Sequence, residues 1–416
     1  MRVTIYKSQE KCISYDEDGW YVNNTIQQSK EGETIDSYAE SAYKEAFIES
    51  QKDITNFTAH FKHVAVLTAA GTSMENGDNG GKTRKDLWQE YLPEINGIKD
   101  ILVQKGGYMA QHCKEIVDSQ NIENFLSFTI LYEKLNGPIK NEEGVYLRKE
   151  LEKKIANACR LILDDNNHHH QNFLRKLTAR KPGDPRVQLY TTNYDTLFEQ
   201  AATRLNYTII DGFSFSYPRV FNGSNFDRDI VFREKTRIHQ EESFIPGVFQ
   251  LFKLHGSVDW HKDDNGIITQ RESVDSPCII YPASEKYESS YEQPYFEMMA
   301  HLQQTLRKEG TFLIVAGFGF QDKHIQNVIH EAVIQNYNFH LFIVCYGASP
   351  YKNAEGEEVW ADLGITRHLI PDYMDEEGKL IGNVTVLYSK FKKFTEIYPL
   401  NPSYANNSKN DQYEAF

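Results

Sequence analysis

The chain has 416 residues, enough to bury a large core, and an ordinary folded composition, 40% hydrophobic and 25% charged, which excludes wholesale disorder. A formal net charge of −14 argues against nucleic acid as the main partner, since phosphate binding draws on an excess of Lys and Arg. Five scattered cysteines form no C-x-x-C pair, so neither a zinc ribbon nor a disulfide framework is supported, and the lack of a signal-like start or of an apolar run of about 20 residues predicts a soluble, cytoplasmic protein without membrane contact.

Residues 1–60 show a short strand at Val3 to Tyr6, a turn at Asp16 to Trp20 and a helical pattern from Tyr38 to Ile54; they read as an N-terminal accessory segment. The run His63 to Thr68 is continuously apolar, as expected of a strand covered on both faces. It leads into Ala69-Ala70-Gly71-Thr72-Ser73 and a loop through Gly77, Gly80 and Gly81. Small residues after a strand let backbone approach a pyrophosphate, and free N–H groups there can hold it. From 95 to 180 the pattern turns helical, in Ile101 to Ile116, Phe125 to Leu135 and Leu147 to Leu163, which predicts an all-α insertion.

Lys181-Pro182-Gly183-Asp184-Pro185 breaks that pattern, and the strand restarting at Val187 ends in Thr191-Thr192-Asn193-Tyr194-Asp195 before a helix with an apolar stripe at Leu197, Phe198, Ala201, Ala202 and Leu205. Residues 206–248 carry no clear period. The strand Phe249 to Leu254 then delivers His255-Gly256-Ser257. After a helix near Tyr295 to Arg307, the strand Phe312 to Ala316 ends in Gly317-Phe318-Gly319-Phe320-Gln321-Asp322 and opens an amphipathic helix, His324 to Asn336. Strands at Leu341 to Tyr346 and Val384 to Tyr388 follow, and a polar tail closes the chain from 401 to 416. The expectation is an α/β fold, a Rossmann-like, mostly parallel sheet over residues 61–400 with a helical insertion at 95–180, and four polar strand ends on one edge.

Those four strand ends resemble the sirtuin family, and more closely its bacterial sirtuin-like branch, whose members hydrolyse NAD in anti-phage defence. The resemblance implies that Ala70, Gly71, Thr72 and Ser73 hold the NAD pyrophosphate. It likewise implies that Asn193 and Asp195, after Thr192, meet the nicotinamide ribose and carboxamide, that His255 is the catalytic histidine, and that Gly317 and Gly319 lie near the adenosine with Asp322 on a ribose. Ala69 stands where the family has its first glycine, which the turn tolerates only at negative φ. The four-cysteine zinc module of protein-deacylating sirtuins has no counterpart, so deacylation is disfavoured and no metal is expected.

Cleavage of the nicotinamide–ribose bond passes through an oxocarbenium-like state, so a site for it must hold the leaving group, orient the ribose and supply a base. The implied activity is an NAD hydrolase yielding nicotinamide and ADP-ribose, with Asn193 and His255 catalytic, depleting NAD in abortive infection. A homo-oligomer and a HerA-type hexameric ATPase partner are expected with it. The alternatives are a non-catalytic module sensing NAD or ADP-ribose, and an NAD-dependent protein deacylase. Blander readings exist for single residues: Asn193 and Asp322 fall where helix N-caps belong, Asp195 suits a first helical turn, His255 a core histidine, and His168-His169-His170 a solvated helix end rather than a metal site.

Overall fold

Strands apolar on both faces are stable only where both faces are covered. The computed structural model places such strands at the centre of an 11-stranded sheet. It describes residues 2–27, 34–104, 107–232, 244–272, 274, 277–279, 293–345, 349–352, 358–361, 373 and 380–401. In chain order, β1 (Val3–Lys7), β2 (Cys12–Tyr15), β3 (Trp20–Val22) and β4 (Thr25–Ile26) precede α1 (Ile35–His60). β5 (His63–Thr68) leads to the single turn α2 (Ala70–Ser73), followed by α3 (Arg84–Glu90), α4 (Leu92–Gln104), α5 (Gly107–Asp118), α6 (Ile122–Asn136), α7 (Leu147–Ala158) and α8 (His169–Leu177). Next come β6 (Gln188–Thr191), α9 (Leu197–Arg204), β7 (Thr208–Ile210), β8 (Val248–Lys253) and a small hairpin of β9 (Trp260–Lys262) with β10 (Ile268–Gln270). The chain continues through α10 (Tyr295–Arg307), β11 (Thr311–Ala316), α11 (Lys323–Gln335), β12 (Phe339–Cys345), a second hairpin of β13 (Ser349–Lys352) with β14 (Glu358–Ala361), β15 (Val384–Tyr388) and α12 (Phe391–Ile397).

The strand order is β4-β3-β2-β1-β15-β12-β11-β5-β6-β8-β7, parallel from β15 to β7. From β5 the chain first builds outward through β6, β8 and β7, then returns to lay β11, β12 and β15 on the other side. The reversal falls between β5 and β11, where open α/β sheets leave a ligand crevice. Within residues 1–60, expected as an accessory segment, the strands between Val3 and Ile26 extend this sheet: β1 pairs antiparallel with β15, and β2 to β4 continue outward.

Alternation along β11 shows how the two faces are filled. Leu313 and Val315 pack with Met298 and Leu302 of α10 and Ile325 and Ile329 of α11, whereas Phe312, Ile314 and Ala316 face the cluster holding Ala42 of α1, Phe173 of α8, Phe198 of α9 and Phe394 of α12. A third cluster, with Leu87, Trp88, Ile98, Phe125 and Leu151, is shared by α3 to α7.

Some boundaries differ from the sequence expectation. The helices sharing the third core run from Arg84 to Ala158, while α8, expected inside the insertion, packs on the sheet through Phe173, Leu174 and Leu177. The expected helix Ile101 to Ile116 is two helices, α4 and α5, and β7 emerges from the stretch without a period. His168 is exposed, but His169 and His170 are buried, since His170 begins the inward stripe continued by Phe173, Leu174 and Leu177. Both ring nitrogens of His170 and Nε2 of His169 lack hydrogen-bond partners, and burial lowers these rings to about 3 and about 4. Among the described residues, no disulfide joins any of the five cysteines. Among the described residues, no helix is long and apolar enough to cross a membrane, and no group of three or more His, Cys, Asp or Glu could hold a metal ion. Tyr346 and residues 402–416, included in the expected last strands and tail, lie outside the described residues.

Candidate active site

β11, β5, β6 and β8 are adjacent and parallel, so their C-terminal ends share one edge. There a cleft of about 930 Å³, counted with its open mouth, is lined by Ala70, Ser73, Thr192, Asn193, Asp195, His255, Gly317, Gly319 and Asp322. Gly71 and Thr72, also expected to contact ligand, sit behind this lining. Ala69 has φ −149°, so the alanine costs nothing there. The Gly71 N–H donates to the Gly317 carbonyl at 3.1 Å and that of Thr72 to the Ala69 carbonyl at 2.9 Å. These two donors are therefore spent on the loop itself. A Cβ on Gly71 would lie 2.6 Å from Gly317 Cα, and Gly317, at φ +67°, would press one within 2.7 Å of Thr72 N. Two loops thus meet backbone to backbone at the sheet's reversal point. At Gly319 a Cβ would meet nothing within 4 Å, so protein packing does not demand glycine there.

Asn193 is fixed by the same loop. Its Nδ2 lies 3.1 Å from the Ala69 carbonyl, 3.3 Å from Thr72 Oγ1 and 2.8 Å from Ser73 Oγ. Ser73 Oγ in turn donates to Asp195 Oδ2 at 2.7 Å, and Asp195 Oδ1 accepts the Leu197 N–H at 3.1 Å. An amide nitrogen has two hydrogens, so these partners exhaust it and leave Oδ1 as the free group. Asn193 therefore offers an acceptor, suited to orienting a water or hydroxyl. Asp195 has one bond on each oxygen and is buried, so it braces Ser73 and opens α9 as well as lining the cleft.

Beneath this loop lies a group the sequence reading passed over. Lys253, at the end of β8, is 2% exposed. Its ammonium donates to the Asp195 carbonyl and, at 2.9 Å, to Glu199 of α9. Burial disfavours the charged lysine, but the carboxylates of Glu199, Asp259 and Asp195 outweigh it and raise its pKa. Val258 N–H and Ser257 Oγ also donate to the Tyr194 carbonyl, at 3.0 and 3.3 Å, so the Asn193 and His255 loops are bound into one unit. A charged residue inside the apolar run Phe249 to Leu254 was the available sequence signal.

His255 Nε2 lies 3.0 Å from Asp322 Oδ2, with side-chain exposures of 12% and 9%. Burial pushes the Asp322 carboxyl up, but the hydrogen bond and charge of His255 and the N–H groups of Ile325 and His324 outweigh it and hold it below the usual range. Asp322 was expected on a ribose; the structure makes it the partner of His255 and the N-cap of α11.

The opposite wall comes from the helical cluster. Lys82, Arg84, Glu123 and Cys159 line it, and Arg84 Nη1 pairs with Glu123 at 3.0 Å. Burial raises the Glu123 carboxyl despite Arg84. The Cys159 thiol, pushed up to about 12 chiefly by burial, stays protonated and is no nucleophile. No local pattern marked these residues: Arg84 and Glu123 sit on α3 and α6, Lys82 just before α3 and Cys159 just after α7. The arrangement provides a histidine with a carboxylate partner and a fixed amide acceptor, the groups needed to activate water or a hydroxyl.

A search of curated proteins found no match. Two solved structures share low similarity: Sir2 with a deacetylated p53 peptide and 3′-O-acetyl ADP-ribose, at TM-score 0.36 and 11% identity over 83% of this chain and 96% of that one, and Sir2Tm bound to a propionylated peptide, at TM-score 0.33 and 11% identity over 83% and 95%. Residues 187–367 match the SIR2-like domain, a segment that contains Asn193, Asp195, His255, Gly317, Gly319 and Asp322.

Proposed function

We propose that the protein is an NAD glycohydrolase, cleaving the nicotinamide–ribose bond to give nicotinamide and ADP-ribose. The observation that carries this reading is the single cleft in which Asn193, with its amide oxygen left open, meets the His255–Asp322 pair at the sheet's reversal point. In the proposed reaction the C1′–N1 bond breaks with its electron pair leaving on nicotinamide, and water bonds to C1′. Asn193 orients that water or the neighbouring ribose hydroxyl, and His255 takes the proton. The SIR2-like match over 187–367 supports an NAD-dependent site.

The reading extends, on the family resemblance, to NAD depletion in anti-phage defence by a cytoplasmic homo-oligomer working with a HerA-type hexameric ATPase. The test is nicotinamide release from NAD by the purified full chain, alone and with that ATPase. Asn193→Ala and His255→Ala are each expected to lower release by about 10²-fold or more while the thermal melt is kept. Thermal stabilisation by NAD without release in either condition would instead establish a sensing module. Undiminished release by folded Asn193→Ala would remove that residue from the mechanism.

A further inference from the structure

The arrangement of Asp322 goes beyond what an N-cap requires. One oxygen, Oδ1, accepts the N–H groups of His324 at 2.9 Å and Ile325 at 3.3 Å, which is the capping role. The other, Oδ2, is directed at His255 Nε2 at 3.0 Å. The carboxylate is thus fixed at both oxygens, at the start of a 13-residue helix whose dipole favours negative charge there. An ionised carboxylate can only accept, so Nε2 carries the hydrogen and Nδ1 the lone pair.

We propose that Asp322 is the positioning residue of the catalytic imidazole, holding Nε2–H so that Nδ1 is the atom that takes the proton of the attacking water. This rests on the glycohydrolase reading. As the C1′–N1 bond breaks and the water oxygen bonds to C1′, one water proton passes to Nδ1, and the imidazolium so formed is stabilised by Asp322 before it returns the proton to solvent. The other charged groups facing the ring are Glu123 of α6 and, paired with it, Arg84 of α3; Asp195 and Lys82 line the same cleft. Glu123 and Arg84 offset each other, which leaves Asp322 as the anion in direct contact.

The separating variant is Asp322→Asn. Asparagine caps a helix as well as aspartate does, but its one oxygen stays with the cap N–H groups and its amide nitrogen then faces Nε2, so the variant keeps the cap and removes both the charge and the acceptor from the ring. Expected are an unchanged melting temperature, a KM for NAD within about twofold, a kcat lowered by about tenfold or more, and an acidic limb of the pH–rate profile moved to lower pH, since a neutral partner favours the imidazolium less. An Asp322→Asn protein with wild-type kcat and pH profile would reduce Asp322 to a cap and overturn the proposal. Long-range proton–nitrogen NMR of the His255 ring gives a reading independent of turnover. The neutral ring is expected as the Nε2–H tautomer, and an Nδ1–H ring refutes the assignment. If the wild type releases no nicotinamide either alone or with the ATPase, the glycohydrolase reading fails, and the NMR result still decides the tautomer.

Discussion

The two walls of the cleft are built by different physics. On the sheet side, Ser73, Asn193 and Asp195 form a connected hydrogen-bond chain over a buried Lys253–Glu199 pair, and loops touch backbone to backbone at Gly71 and Gly317. On the helical side, the polar groups are long side chains, with Lys82 paired to Glu90 at exposed positions and the exposed Arg84 paired to a Glu123 whose carboxyl burial raises. A buried network that is fully paired is rigid, because breaking any member strands another. Exposed pairs reorganise at little cost. The sheet side can therefore fix reacting geometry, while the helical side can adapt to what enters.

The largest break of this contrast is Lys253→Ala. It strands Glu199 and releases the Asp195 carbonyl, and should cost about 3–5 kcal/mol in urea unfolding, with loss of nicotinamide release. Gly317→Ala comes next: a left-handed φ and a Cβ pressed on Thr72 N should cost about 2–4 kcal/mol, read by the same unfolding curves.

Acid probes the sheet side from behind. His169, His170 and His340 are lowered, chiefly by burial, to about 4, about 3 and about 3, so the folded protein keeps them neutral while the unfolded chain protonates them below about pH 6.5. The unfolded state then binds more protons, and stability should fall as pH drops from about 6.5 toward 4, by up to about 1.4 kcal/mol per pH unit for each ring. His170→Leu should flatten that slope, and a slope unchanged by the substitution would show that another group is responsible. The smallest effect belongs to the helical wall. Arg84→Ala leaves the buried Glu123 carboxyl without its partner, and because burial already raises that carboxyl it takes up a proton instead of staying charged, so the cost should be about 1 kcal/mol. If Arg84 meets the anionic part of NAD, the same variant should raise KM severalfold at unchanged kcat.

The sequence carried much of this arrangement. The bounds of β5, α10 and β15 follow directly from apolar runs and from helical spacing, because a strand covered on both faces and an amphipathic helix write their period into neighbouring residues. Parallel pairing of β11, β5, β6 and β8 then brought the four polar strand ends to one edge. Hidden were features whose partners lie far along the chain. β1 to β4 alternate too briefly to reveal that they extend the main sheet, and β7 has three residues. Glu123 and Arg84 enter the cleft from a separate core, and the histidine run looked solvated until α8 was laid on the sheet.

The chain by itself determined which segments are strands, which face is apolar, and which residues stand at the strand ends, because these depend on local period and composition. Tertiary structure alone decided the roles. Asn193 turns its oxygen outward because Ser73, 120 residues away, takes its nitrogen. Asp322 faces a histidine because β8 and β11 end on the same edge, with β5 and β6 between them. Hydrogen-bond partnership is a property of position in space, and sequence spacing does not encode it.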